Sequence, residues 1–298
     1  MDNSMKIGVV TVTYNSSKVI EDFMTSILSQ THVNFTLYII DNSSSDETLE
    51  KLSKYNDQRI VIIKNKDNLG VAAGNNQGIS ASIKSNCEYI ILINNDTEFD
   101  SQLIEMMLKG LDNYSCDIIV PKIMYHDNPK IIWSAGGYFR PWAACLCAHY
   151  GIGALDYGQY DNVRRIEYAP TCCMLIKKTV FDTIGLMDEK YFVYYDDSEF
   201  CFRAMKLEIS MFYLPTVVLL HKVSSLTGGQ KTTSERSDFT VHHLTRGLVY
   251  SIKKHQGIAS APFIFFYAAF LFLKFLIGKE SLKVFQVKKK AFLEALSL

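Results

Sequence analysis

The first 120 residues alternate strand and helix signatures, and no other feature limits the fold so sharply. Ile7–Val12 has the apolar, β-branched character of a strand, and Val19, Ile20, Phe23, Ile27 and Leu28 follow at helical spacing. Leu37–Ile40 is the second strand, after which Asp46 is placed to cap a helix running through Leu52. The series continues with strand Ile60–Ile63, a helix from Gly70 to Ile83, strand Tyr89–Ile93, a helix over Leu103–Leu111 and strand Ile118–Val120. This rhythm predicts an α/β fold: a mostly parallel central sheet with helices on both faces. The pattern changes after Pro121. Trp133 to Tyr168 is rich in Gly, Tyr and Ala without a clean period, and is expected to form loops that cover or shape a site. Cys172–Ile176, Met211–Leu214 and Val217–Leu220 look like strands, Thr179–Ile184 like a short helix, and the chain turns helical after Ser237. Three regions result: 1–120, 121–236 and 237–298.

The 298 residues carry no net charge, so no global basic field points to nucleic acid. Seven cysteines occur without a secretory signature before them, and Cys145-x-Cys147 and Cys172-Cys173 do not make a paired zinc pattern. They are expected to be small buried hydrophobes in a reducing cytoplasm. One segment stands apart. Pro262 to Ile277 is almost wholly apolar but contains Lys274, and it falls short of the roughly 20 residues of a spanning helix. Lys253 and Lys254 precede it, and Lys279, Lys283 and Lys288-Lys289-Lys290 follow. Such a helix suits an anionic membrane surface, with contact through 262–290. Burial against the main domain, or an interface in a homo-oligomer, would suit it too.

The chemistry gathers where strands end. Tyr89-Ile90-Ile91-Leu92-Ile93 runs into Asn94-Asn95-Asp96-Thr97, a cluster of hard oxygen donors suited to Mg²⁺ or Mn²⁺ and so to a phosphorylated substrate. Alone, the cluster fits a turn and helix cap equally well. Three more clusters follow the other strands: Thr11-Val12-Thr13-Tyr14-Asn15, Asp41-Asn42-Ser43-Ser44-Ser45-Asp46, and Asn68-Leu69-Gly70 through Gly78. In a parallel sheet these ends share one edge and form one crevice. Gly70, Gly74 and Gly78 leave a stripe without side chains, against which a ligand or another backbone could pack. Glycine costs about 1 kcal/mol per helical position, so three need a reason.

Further motifs lie downstream. Gly185-Leu186-Met187-Asp188-Glu189 precedes Tyr191-Phe192-Val193-Tyr194-Tyr195-Asp196-Asp197-Ser198-Glu199, and Tyr213-Leu214-Pro215 leads to His221-Lys222-Val223-Ser224-Ser225. With the four clusters, this series resembles the inverting glycosyltransferases of family 2, of GT-A fold, and within them the bacterial rhamnosyltransferase-like branch. The resemblance covers roughly residues 5 to 250. It implies a nucleotide-sugar-binding half before residue 121 and an acceptor-binding half of the same domain after it. Asp41 would hydrogen-bond the nucleotide base beside Thr11, Tyr14 and Asn15; Asn68, Gly70, Asn75, Asn94 and Asn95 would complete the donor site. Asp96 would be the metal-binding last residue of a DXD-type motif whose first acid is here Asn94, and His221 would join the metal. Asp197 would be the catalytic base. Asp196, Glu199, Trp142 and Arg246 would lie on the acceptor side. The sequence departs from the family at Thr171-Cys172, where a Gly-Ala pair is usual, and at Arg246-Gly247, where Arg-Asn is usual.

The implied reaction is a metal-dependent transfer from dTDP-rhamnose or a UDP-sugar to a hydroxyl of a glycan acceptor, lipid-linked if the apolar helix meets the inner face of the cell membrane. A divalent cation offsets charge on the departing diphosphate, and a histidine ligand favours Mn²⁺ over Mg²⁺. Asp196, Asp197 and Glu199 crowd together, which raises at least one pKa, although helix capping also explains acids at this place. Trp133, Trp142 and Tyr157 could stack on sugars or simply pack, and Arg164 and Arg165 could meet phosphate or water. Two other functions share these features. A nucleotidyltransferase would use the crevice and metal without needing Asp197. An inactive sugar-nucleotide-binding scaffold would accommodate Asn94.

Overall fold

The computed structural model describes residues 5–140, 145–222 and 236–298. Strands β1 (Ile7–Thr13), β2 (Phe35–Asp41), β3 (Ile60–Lys64) and β4 (Tyr89–Ile93) alternate with helices α1 (Ile20–Leu28), α2 (Thr48–Leu52) and α3 (Val71–Lys84). Then follow β5 (Thr97–Phe99), α4 (Leu103–Asn113), β6 (Ile118–Tyr125), β7 (Ile132–Ser134), β8 (Gly137–Phe139), β9 (Cys147–His149), β10 (Arg164–Arg165), β11 (Cys173–Lys177), α5 (Lys178–Ile184), α6 (Asp196–Lys206) and β12 (Met211–His221). Helices α7 (Asp238–Gln256), α8 (Ser260–Leu276) and α9 (Leu282–Ser297) complete the described chain.

The central sheet runs in the order β10-β12-β6-β11-β4-β1-β2-β3. β1 is parallel to β2 and β4, and β2 to β3. β11 is antiparallel to both β4 and β6, while β12 is parallel to β6. The C-terminal ends of β1, β2, β3, β4, β6 and β12 therefore share one edge. The expected helices on both faces are present. Along β4, Ile90 and Leu92 enter a core with Ala72, Ile79 and Phe200, whereas Ile91 and Ile93 enter the opposite core with Phe23, Met107 and Leu111. A strand buried on both faces explains why its sequence is a continuous apolar run.

Several expectations change. The 133–168 stretch is not all loop. It contains β8 and β9, which pair antiparallel, and β10, which pairs with β12. Strands of two or three residues are too short to show a period. Met211–Leu214 and Val217–Leu220 form one strand, β12, with a register shift between Leu214 and Val218. The shift brackets Pro215, which has no N–H to give the ladder. Gly74 and Gly78 of the glycine stripe serve packing against β1. A Cβ on Gly74 would lie 2.9 Å from Val12 Cγ2, and one on Gly78 would lie 2.3 Å from Val10 Cγ1. All seven cysteines are free, and only Cys147 is more than slightly exposed. Burial raises the Cys116 and Cys147 thiols to about 11, so both stay protonated at neutral pH.

α8 is not buried against the domain. Of its residues only Ser260 and Leu271 are buried, while Phe265 and Phe266 are 69% and 68% exposed. The helical stretch Asp238–Leu276 is long and apolar enough to cross a membrane by length and composition.

Candidate active site

The loops after β1 and β2 are stitched together at the shared sheet edge. Thr13 Oγ1 donates to Asp41 Oδ1 at 2.9 Å, and the Ser44 N–H donates to Asp41 Oδ2 at 3.1 Å. Asn15 adopts φ 52° and accepts the Ser45 N–H at 2.8 Å, while its own N–H donates to Ser44 Oγ at 2.9 Å. Asp41 is thus buried with both oxygens engaged internally. Asp46 accepts the N–H groups of Ser17 and Thr48, each at 3.0 Å, but it lies one residue before the N-cap of α2, which is Glu47 and not the expected Asp46. Burial alone would raise its carboxyl, but these hydrogen bonds prevail and hold it at about 2. Thr11 lies inside β1 with its hydroxyl buried and without a hydrogen-bond partner among the described residues; Tyr14 is exposed at the strand end.

The third cluster faces a different neighbour. Asn68 Oδ1 accepts the Gly70 N–H at 3.0 Å, and Val71 N–H donates to Phe192 O at 2.6 Å. Gly70 has φ 86°, and a Cβ there would lie 2.4 Å from Phe192 O, so glycine is required on both counts. Asn75 Nδ2 points at Met187 Sδ at 3.7 Å, and Asn76 exchanges hydrogen bonds with the Met187 backbone at 2.9 Å. The start of α3 is therefore fastened to the segment that leads into α6.

The fourth cluster follows β4. Asn94 N–H donates to Cys172 O at 3.0 Å, and Thr97 Oγ1 donates to Asn94 O at 2.7 Å, which closes the turn. Asn95 Nδ2 donates to Val12 O and ties the turn to β1. β5 then pairs antiparallel with β12, placing Thr97 opposite His221. That pairing brings Asp96 Oδ1 to 3.2 Å from His221 Nε2 across 125 residues of sequence. The Asn95 Oδ1 and His221 Nδ1 atoms are buried without a hydrogen-bond partner among the described residues. A carboxylate and an orphaned amide oxygen on the turn after β4, with an imidazole beside them from β12, suit a divalent cation whose other ligands would come from diphosphate and water. The described residues hold no cluster of three or more His, Cys, Asp or Glu side chains placed for a metal, so the protein would supply only a partial ligand set.

Asp197 lies at the start of α6, after two consecutive tyrosines, Tyr194 and Tyr195, both at φ 63°. Left-handed backbone at two bulky residues is unfavourable, and its position directly before the acids marks a constrained turn. Asp197 Oδ1 accepts the Ser198 N–H at 2.6 Å, and Oδ2 accepts the Tyr168 hydroxyl at 3.0 Å. Burial raises the Asp197 carboxyl despite these donors. The buried neighbour Asp196 is raised as well, by burial and then by the Asp197 charge.

A line of rings joins the two acid centres. His221 packs edge-on to Trp133 at 4.5 Å, Trp133 to His149 at 5.5 Å, and His149 to Tyr168 at 5.1 Å. Tyr168 then reaches Asp197. His149 and Tyr168 were missed in the sequence because they sit in an aperiodic stretch with no motif around them. Trp133 packs between two histidines in this line. Trp142 lies outside the described residues. Tyr157 is exposed, Arg164 stacks over Tyr150 and Tyr160 at 5.2 and 5.0 Å, and Arg165 is exposed.

A family profile described as Glycosyl transferase family 2 matches residues 8–185, more than half the chain. The chain belongs to glycosyl transferase family 2. It is 28% identical over 221 residues to a low-salt glycan biosynthesis hexosyltransferase of Haloferax volcanii, spanning 72% of this chain and 66% of that relative. It is 22% identical to the N-acetylglucosaminyl-diphospho-decaprenol L-rhamnosyltransferase of Mycobacterium tuberculosis, over 86% of this chain and 87% of the relative. Among solved structures, a mannosyltransferase from Pyrobaculum calidifontis in complex with GDP-Man and Mn²⁺ superposes with TM-score 0.55 at 14% identity, covering 85% of this chain and 65% of that one. S. aureus TarS in complex with UDP gives 0.55 at 16% identity, over 86% and 68%. At these identities the structural likeness concerns the fold.

In this family 2 chain, α7 braces the segment that carries Asp197. Tyr250 Oη and Lys254 Nζ donate to Asp188 at 2.8 and 2.7 Å, Tyr191 Oη meets Ser251 Oγ at 2.8 Å, and Arg246 donates to Lys190 O at 2.6 Å. Glu199 is fully buried, receives Arg203 Nε at 2.9 and 3.0 Å and Lys254 Nζ at 2.7 Å, and lies 3.2 Å from His255 Nε2. Burial would raise its carboxyl, but these partners hold it at about 2. Glu199 and Arg246 thus fasten α6 and its approach to α7. Gly247 completes the brace, since a Cβ there would lie 2.6 Å from the Tyr195 ring. The departure from Arg-Asn to Arg-Gly makes room for that ring.

Proposed function

We propose that this chain transfers a sugar, with inversion, from a nucleotide-diphosphate sugar to a hydroxyl of a lipid-linked glycan acceptor, working at the cytoplasmic face of a membrane. The observation that supports the reading is the ring line from Asp96–His221 to Tyr168–Asp197, which connects a carboxylate–imidazole pair suited to a cation with a carboxyl held by two donors. The donor would lie along the ends of β1, β2 and β4. Asp41, held rigid by Thr13 and Ser44, would meet the base through the little of its edge that remains open. A divalent cation held by Asp96 and His221, better Mn²⁺ than Mg²⁺, would offset the charge of the departing diphosphate.

Asp197 would take the proton of the acceptor hydroxyl as that oxygen bonds to the anomeric carbon and the bond to diphosphate breaks on the opposite face. The proton ends on Asp197 and the electron pair on the diphosphate. A single base suffices, and burial makes that carboxylate a better proton acceptor than an exposed one. A nucleotidyltransferase would give the constrained Asp197 turn nothing to do, and a binding scaffold would not need a raised carboxyl.

Lipid attachment of the acceptor rests on α8. Its exposed Phe265, Phe266, Phe270, Phe272 and Leu273 suit the acyl boundary, and a groove of about 760 Å³ beside it is lined by Lys253, Ile258, Ile264, Phe265, Phe292 and Leu296. The cationic flank is weaker than its sequence suggests. Lys274 and Lys288 both pair with Glu280, and Lys283 pairs with Asp238 at 2.7 Å. Apolar insertion would therefore dominate over attraction to anionic headgroups.

The test is a screen of dTDP-rhamnose, UDP-sugars and GDP-sugars for hydrolysis and transfer with Mn²⁺ or Mg²⁺, run on the wild type and Asp197→Asn. Transfer from one nucleotide class that is lost in Asp197→Asn while nucleotide still binds supports the reading; binding without turnover in the wild type sinks it. For the membrane part, co-sedimentation with lipid vesicles is expected in the full chain, and its absence would remove that part.

A further inference from the structure

A carboxylate that abstracts a proton has to keep one lone pair aimed at the acceptor. Asp197 is fixed from two sides: the Ser198 N–H holds Oδ1 at 2.6 Å, and the Tyr168 hydroxyl holds Oδ2 at 3.0 Å. We propose that Tyr168 is a positioning residue for the catalytic base, donating its hydroxyl to Asp197 Oδ2 so that the carboxylate is both oriented and kept ionised. The inference rests on Asp197 as the base.

The position of the Tyr168 ring is set independently of Asp197. The ring is almost fully buried, 6.0 Å edge-on from Phe139 and 5.1 Å edge-on from His149. His149 is fixed in turn by Ser134 Oγ at 3.0 Å from its Nδ1 and by Trp133. A donor locked this way is not lost to side-chain rotation and costs little ordering entropy when it binds the carboxylate.

The charges around Asp197 give the hydrogen bond its importance. α6 contributes Asp196, Ser198 and Cys201; the preceding turn contributes Tyr195; β9 contributes Cys147, whose Sγ lies 3.3 Å from Ser198 Oγ, and His149 behind Tyr168. None of these is a cation at neutral pH, because burial lowers His149 to about 4. Lys254 and His255 are turned to Glu199 instead. Two donors, Tyr168 and Ser198, therefore work against the effect of burial on Asp197. Tyr168 itself remains protonated, since burial and Asp197 both raise its phenol. A donor to a carboxylate favours the charged form, so it lowers the pH at which the base becomes available.

The experiment measures kcat/KM against pH for the full-length chain, with nucleotide affinity measured alongside. Tyr168→Phe removes one hydroxyl and keeps the ring packing. Its acid limb is expected to move up by about one pH unit, giving a roughly tenfold loss on that limb that closes at alkaline pH, with nucleotide affinity unchanged. Placing 3-fluorotyrosine at position 168, a stronger donor of nearly the same shape, is expected to move the limb down. A uniform drop at every pH, or a profile coincident with wild type in both variants, overturns the proposal. If Asp197→Asn is inactive while neither Tyr168 variant shifts the limb, only the Tyr168 role fails. If Asp197→Asn keeps wild-type turnover, the base assignment fails and the Tyr168 role with it.

Discussion

The two sides of the first turn of α6 treat carboxylates in opposite ways. Toward Tyr168, Asp197 meets only neutral donors and the acid Asp196, and burial raises its carboxyl. Toward α7, Glu199 is buried more deeply, yet Arg203, Lys254 and His255 hold it at about 2. Burial alone therefore does not set the protonation of an acid. The partners do, and they differ across one helical turn. A carboxyl with only neutral donors sits two residues from a carboxylate anchored by cations to the neighbouring helix.

The comparison can be broken most severely at Asp197. Asp197→Asn should reduce turnover by about 10²–10⁴-fold. The same change should raise the melting temperature at pH 7, because it removes a buried charge. A raised carboxyl costs stability once pH exceeds its ordinary 3.8, so this gain should disappear near pH 4. Melting curves at the two pH values read both signs.

Glu199→Gln should do the reverse to stability. It leaves the partly exposed Arg203 and Lys254 without this counter-charge, at a cost of about 1–3 kcal/mol by chemical denaturation. A lowered carboxyl contributes stability above its ordinary 4.5 and loses it as pH falls toward 2. The deficit of Glu199→Gln should therefore be constant above pH 5 and shrink steadily below it.

Gly247→Ala sharpens the link between the two sides. Alanine gains about 1 kcal/mol of helix propensity, but its Cβ would press on Tyr195. Overpacking of this kind costs about 1–3 kcal/mol, so a net loss of stability is expected. kcat should fall more than nucleotide affinity, because the displaced turn carries Asp197. Lys254→Met should have the smallest effect, about 1 kcal/mol or less of stability, since the partly exposed lysine is one of several partners of Glu199. A loss as large as that of Glu199→Gln would mean that Lys254 alone sets the pKa of that acid.

Much of this was legible in the residue order. The β-α rhythm before residue 121 gave the parallel sheet because burial on both faces leaves a periodic imprint, as Ile90 to Ile93 show by dividing between two cores. Asp96 and His221 stood out because they follow or end strands, and Asp197 because it lies among three acids in a segment that matches the family. The short strands of 132–165 left no imprint, being shorter than any period, and Tyr168 and His149 were hidden with them. The glycines of α3 marked a close approach, but whether to a ligand or to β1 was not written in their spacing. The contrast between Asp197 and Glu199 was also invisible, because Lys254 and His255 lie more than fifty residues away.

By itself the sequence determined the sheet, its polar edge and the chemical types gathered there, since hydrophobic periodicity and strand-end chemistry are local properties. Tertiary structure alone decided which acids are ionised and what holds them. The β5–β12 pairing set Asp96 against His221, the ring line joined that pair to Tyr168, and α7 took Glu199 as an anchor while leaving Asp197 to Tyr168. Protonation and orientation depend on the few ångströms around each group, and those ångströms are filled by residues distant in the chain.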